Sequence, residues 1–276
     1  MFWKRLISGV VLLAIAIATM AFGGIPLAAV LFLISLIAYR ELTKVMGASG
    51  EGKSFNGLEI VGYLGITAYY VVSYFVGTDL FGHRELLAVI MGTFLAELLV
   101  YVLTFPKYNA SQVSAAFFAF LYAPVMLAFT YLTRELPQGL YLVWLILISA
   151  WGCDTCAYVV GVLIGKKKIF PNLSPKKSLE GCIGGVVGTV IIATLYGYFF
   201  VEATFPDKKV APLIAIICGF GAVCSMVGDL AASAIKRNFG IKDYGKLIPG
   251  HGGIMDRFDS MIVTAPLVYF LATFLL

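Results

Sequence analysis

The chain has 276 residues, of which 61% are hydrophobic and only 13% charged, with a formal net charge of +5. Such a composition excludes a disordered, collagen-like or disulfide-stapled chain, and it leaves too little polar surface to cover a soluble globule of this size. The class that remains is an all-α, polytopic integral membrane protein, because the apolar stretches are long and continuous rather than the ~10-residue alternating strands of a β-barrel.

A helix needs about 20 apolar residues to cross the ~30 Å hydrocarbon core of a bilayer. Nine runs approach that length: 6–22, 25–46, 58–77, 86–105, 112–132, 139–164, 182–201, 211–235 and 260–276. The first reads as a span and not as a cleaved leader, because its apolar character continues past Ala16-Ile17-Ala18 and a second run follows almost at once. Pro106, Pro137, Pro171 and Pro206 fall between runs, where a helix should stop, whereas Pro124, Pro212 and Pro266 lie within or near spans and are candidate kinks.

With nine spans, only Arg84, Arg134, Lys208 and Lys209 of the 20 basic residues fall on the side opposite the N-terminus. Basic residues are retained on the cytoplasmic face. The expected location is therefore the cytoplasmic membrane, with the N-terminus inside and the C-terminus outside. Half of the basic residues sit in two cytoplasmic loops, 165–181 and 236–259. Residues 1–137 read as a hydrophobic helical scaffold and 138–276 as the functional half of one membrane domain, 1–276. No nucleic-acid partner is expected. Five cysteines, including the Cys153/Cys156 pair, lie in or beside spans and read as small packing residues, since neither a βαβ context nor enough histidine accompanies them.

Ionisable residues inside a span are costly and face a protein interior or a polar cavity. Glu97 lies mid-span in the fourth run with no motif around it and reads as structural. Asp154 and Asp229 each lead into a charged loop. Helical spacing places Asp229, Ser233 and Lys236 or Arg237 on one face. Asp256 and Asp259 are three apart where the ninth span begins, and with Asp229 they form a candidate oxygen-ligand set for Mg²⁺, which takes one or two carboxylates, waters and phosphate oxygens. The glycines around His251, namely Gly250, Gly252 and Gly253, form a side-chain-poor turn whose N–H groups could approach a phosphate. In the first loop, Ser174-Pro175-Lys176-Lys177-Ser178 opens a helix with ammonium groups beside its N-terminus, an arrangement suited to a polyphosphate.

The stretch Ser233-Ala-Ile-Lys236-Arg237, followed by Lys242-Asp243-Tyr-Gly245 and by Pro249-Gly-His251-Gly252-Gly253-Ile-Met-Asp256-Arg257-Phe-Asp259, resembles the signature of the phosphatidate cytidylyltransferases, or CDP-diacylglycerol synthases, without departure. The run from Asp154 through Ala157-Tyr158, Gly161 and Gly165 to Ser174-Pro-Lys-Lys-Ser-Leu-Glu180-Gly181 resembles that family's other typical segment. The resemblance implies that CTP and phosphatidate give CDP-diacylglycerol and pyrophosphate for phospholipid synthesis. It implies an Mg²⁺-dependent site open to the cytoplasm, leaves a second metal ion open, and implies a homodimer in the bilayer.

Within that reading Asp229 and Asp256 are the first metal ligands, and Asp259 and Asp154 the next. Lys176, Lys177, Lys236, Arg237 and Arg257 hold substrate phosphates, helped by Ser174, Ser178, Lys242, Gly252 and Gly253. His251 positions pyrophosphate, acts as an acid or stabilises its turn. Asp256→Asn is expected to abolish turnover with folding intact. The alternatives are a cytidylyltransferase acting on another lipid phosphate, such as an isoprenoid ether lipid, and a secondary transporter.

Overall fold

The computed structural model describes residues 2–49, 55–76, 83–206, 208–248, 250 and 252–276. His251 lies outside the described residues. The described chain is helical, and its only β features are isolated bridges pairing Lys168 with Ser178 and Ile248 with Gly252. The helices are α1 (Phe2–Phe22), α2 (Gly24–Val45), α3 (Gly57–Val76), α4 (His83–Leu103), α5 (Ala110–Glu135), α6 (Gly139–Ile164), α7 (Leu179–Thr204), α8 (Ala211–Asn238) and α9 (Met255–Leu275). Each of the nine apolar runs overlaps one helix among the described residues. Among the described residues, eight helices are long and apolar enough to cross a membrane, and the remaining run corresponds to the shorter apolar segment Ser8–Phe22 of α1.

The outer faces carry large apolar side chains that water would not tolerate in such number, among them Leu95, Leu99, Leu163, Phe199, Phe220 and Phe274. Most prolines act as the chain pattern suggests, but Pro212, expected as a candidate kink, opens a helix instead. Pro137, Pro171 and Pro206 lie between helices, and Pro212 sits in the first turn of α8, where its missing N–H costs little. Pro124 sits inside α5 and cannot donate to the turn before it. The helix widens to a π-helical turn over Leu121–Val125, a local adjustment that spares the ring a clash with the preceding carbonyl.

The chain divides into two compact units. The first comprises Met1–Leu132 and Asp243–Arg257. In it Tyr39, Leu42, Leu58, Ile66, Tyr69 and Phe120 are fully or almost fully buried. Ser35 and Tyr70 satisfy each other across α2 and α3 at 2.7 Å. The start of α3 is fixed by reciprocal bonds: the Asn56 side chain accepts from Glu59 N and the Glu59 side chain accepts from Asn56 N. Glu59 is fully buried and is neutralised by Arg40 at 2.9 Å. Glu97 is also fully buried, and neither of its carboxyl oxygens has a hydrogen-bond partner among the described residues.

The second unit comprises Thr133–Lys242 and Phe258–Leu276. Its tightest seam joins α6 to α7. Gly181, Gly184, Gly185 and Gly188 share one face of α7, and a Cβ on any of them would lie 2.5–3.1 Å from Cys153, Cys156, Ala157 or Val160 of α6. Small residues here let two backbones approach, the usual basis of helix association in lipid. The cysteines belong to this packing: Cys153 Sγ donates to Ala222 O at 3.6 Å and Cys218 Sγ to Leu145 O at 3.8 Å, and none of the five forms a disulfide.

Candidate active site

The second unit gathers three of the four candidate ligand carboxylates. Asp154 stands in the first turn of the α-helical segment Cys153–Ile164, and its Oδ2 accepts from Ser260 Oγ at 3.2 Å. Asp229 lies near the end of α8, and its Oδ2 is 2.7 Å from Lys177 Nζ. Asp259, 8% exposed, interacts electrostatically with Asp229, Asp154 and Lys236. The residue before Asp229 is glycine for a steric reason: a Cβ on Gly228 would lie 2.6 Å from Asp259 O, so α8 and α9 touch backbone to backbone at the level of the two carboxylates.

The loop between α6 and α7 is ordered from within. Glu180 accepts from Lys166 N at 3.0 Å and from Lys167 N at 3.2 Å, and Leu179 N donates to Lys167 O at 2.8 Å. Ser178 is the N-cap of α7, its Oγ accepting from Gly181 N at 3.2 Å, a bond worth about 1 kcal/mol in such caps. Gly165 leaves room for that hydroxyl. The Ser178 side chain is thus already engaged by its own helix. Ser174 contributes a backbone turn, its O accepting from Lys177 N at 3.1 Å.

Beside this loop is a cavity of about 430 Å³. Ala157, Tyr158, Val162 and Met226 give it apolar walls, and Lys168, Lys176, Lys177 and Asp154 give it polar ones. Lys168 Nζ donates to Lys176 O at 3.2 Å, which holds two of the lysines beside each other.

The end of α8 explains how the chain leaves this region. Ile241 N donates to Lys236 O at 2.9 Å and Gly240 N to Arg237 O at 3.2 Å, with Gly240 at φ +63°, the glycine-dependent geometry that terminates helices. Lys236 and Arg237 lie in the last turn, where they also complement the helix dipole. Lys242 follows and is exposed.

Asp256 and Arg257 belong to the first unit. Asp256, 7% exposed, accepts through Oδ2 from Tyr244 N at 2.8 Å and from Gly253 N at 2.9 Å. Gly252 has φ +90°, and a Cβ on it would lie 2.7 Å from that same oxygen. Arg257 is exposed. The Gly253 N–H read from the sequence as a phosphate donor is therefore taken by Asp256.

Sequence reasoning missed Glu41. Its Oε1 accepts from Ile254 N at 3.1 Å and its Oε2 from Met255 N at 2.9 Å, so an α2 carboxylate caps the start of α9. The only trace in the sequence is a carboxylate three residues after Ala38 on the same face of α2.

Among the described residues, no three His, Cys, Asp or Glu side chains converge as a metal-binding group. The carboxylates of the second unit nevertheless suit Mg²⁺ in kind. They are hard oxygen donors beside a lysine, and Mg²⁺ is held by one or two carboxylates together with waters and substrate phosphates rather than by an all-protein cage.

Comparison with known proteins places the chain in a family. Residues 3–275 match the cytidylyltransferase family, and the chain belongs to that family. Among its relatives are phosphatidate cytidylyltransferases. That of Staphylococcus haemolyticus is 31% identical over 96% of this chain and 96% of its own. That of Bacillus subtilis is 30% identical over 97% of this chain and 96% of its own.

Proposed function

We propose that this chain transfers the cytidylyl group of CTP to phosphatidate, giving CDP-diacylglycerol and pyrophosphate for phospholipid synthesis. The observation that carries the reading is the cavity of the second unit. Its apolar walls suit the glycerol and acyl portion of a lipid, and its ammonium groups suit a phosphate monoester.

A phosphatidate oxygen attacks the α-phosphorus of CTP in line. The new P–O bond forms as the bond to the β-phosphate oxygen breaks, and pyrophosphate leaves. The nucleophile is already anionic, so no general base is required. Positioning and charge neutralisation supply the catalysis. Lys176 and Lys168 hold the lipid phosphate, and Lys177 passes from Asp229 to a substrate phosphate oxygen. Lys236, Arg237 and Lys242 offer further phosphate contacts at the end of α8. Ser178 and Glu180 keep the loop in shape. Asp229 and Asp259, with Asp154, are the residues that would hold Mg²⁺, which offsets phosphate charge when bound. Asp256 and Arg257 stay in the proposal on the strength of the signature resemblance.

The excess of basic residues on the N-terminal side supports an orientation with the N-terminus and the site facing the cytoplasm. A homodimer is part of the same reading. The α7 glycine stripe packs within the chain, against α6.

Transfer of label distinguishes this reaction from a CTP-dependent kinase. In inside-out membrane vesicles, label from the α-phosphate of CTP should appear in lipid and γ-label in pyrophosphate. Right-side-out vesicles should incorporate neither. Appearance of γ-label in lipid would contradict cytidylyl transfer, and equal incorporation in sealed vesicles of both orientations would contradict the orientation.

A further inference from the structure

We infer that Glu41 is a positioning residue that sets the signature loop, and so the placement of Asp256 and Arg257, for the transfer step. The inference deepens the function proposed above and rests on it. Glu41 stands at the end of α2, 8% exposed. It is bound to backbone at both oxygens, with Ile254 N at 3.1 Å and Met255 N at 2.9 Å. These amides open α9, and helix-opening N–H groups have no partner within their own helix. A carboxylate is the natural acceptor for them, because it adds charge complementarity to the helix dipole.

Two glycines make room for it. A Cβ on Gly253 would lie 2.5 Å from either Glu41 oxygen, and a Cβ on Gly245 would collide with Oε1. The signature glycines at 245 and 253 are thus explained by clearance for a side chain from α2. Gly253 also donates to Asp256 Oδ2 at 2.9 Å. Glu41 therefore grips the residues immediately after the amide that orients Asp256. A loop fixed at Ile254, Met255, Gly253 and Tyr244 leaves little freedom to the side chains it presents.

The test uses the purified full chain in detergent and two variants, Glu41→Gln and Gly245→Ala. The first keeps shape but loses charge and one of the two acceptors. The second keeps Glu41 and crowds it. For both, kcat should fall about 10²-fold, the cost of misplacing a group by about 1 Å. The KM for phosphatidate should change less than kcat, because the residues lining the lysine-rimmed cavity are not among those that Glu41 holds. Amide hydrogen exchange at Ile254 and Met255 should accelerate while exchange in α6 and α7 does not. Wild-type kcat in either variant overturns the inference. So does a loss of kcat accompanied by faster exchange throughout, which marks a merely structural role. If Glu41→Gln yields no folded protein, Gly245→Ala decides alone. The exchange readout needs no turnover, so failure of the positioning role is distinguishable from failure of the proposed reaction, which would show as an inactive wild type.

Discussion

At Asp256 one carboxylate oxygen accepts two backbone N–H groups, from Tyr244 and Gly253, in a nearly water-free setting. Charge-assisted bonds of this kind are stronger than neutral ones, and leaving a buried donor unpaired costs about 1–3 kcal/mol. The sequence alone leads to the expectation that Asp256→Asn abolishes turnover and leaves folding intact. The geometry changes the second half of that expectation. An asparagine can keep its oxygen toward the two amides but loses the charge. The variant should lose turnover and also melt at a lower temperature, measured by thermal unfolding in detergent alongside activity. Unchanged melting would show that the two bonds contribute nothing net, and unchanged turnover would remove Asp256 from the site. Asp154, Asp229 and Asp256 were legible in the sequence because a charge beside an apolar run needs a reason. Glu41 was not, because its partners are backbone amides 213 and 214 residues away, which leave no side-chain pattern.

Among the elements, α6 and α7 decide the shape of the candidate site, because they hold the cavity and the loop between them. Their seam depends on missing side chains. Valine at Gly184 would place atoms on Val160, whose side chain is already 2.5 Å from the position of a Cβ. Overpacking of this kind costs about 1–3 kcal/mol. Gly184→Val should therefore lower the melting temperature in detergent, whereas Ile183→Val, on the adjacent exposed face, should not. Equal melting of the two variants would contradict the seam. The spacing of these glycines permits close helix packing within or between subunits. Only three-dimensional placement shows them facing Cys153, Cys156, Ala157 and Val160 of the same chain. Ser178 is a similar case. Its position before a helix admits a cap, a phosphate contact or both, and the Gly181 N–H shows the cap.

For the whole molecule, composition and run length were enough to read an all-α membrane protein, since bilayer thickness sets a length that few other constraints imitate. Among the described residues, eight helices are long and apolar enough to cross a membrane, and Ser8–Phe22 of α1 is a shorter apolar segment. The division into two units was not legible, because it joins Asp243–Arg257 to the N-terminal helices, far away in the chain. The central claim is that the chain joins a nucleotide to a lipid phosphate. It is tested most directly by pyrophosphate release from purified protein in detergent with CTP, phosphatidate and Mg²⁺, each omitted in turn. The account predicts release only when all three are present, matched by a CDP-lipid product. Release without phosphatidate, or none from well-folded protein with any lipid phosphate acceptor, would contradict it.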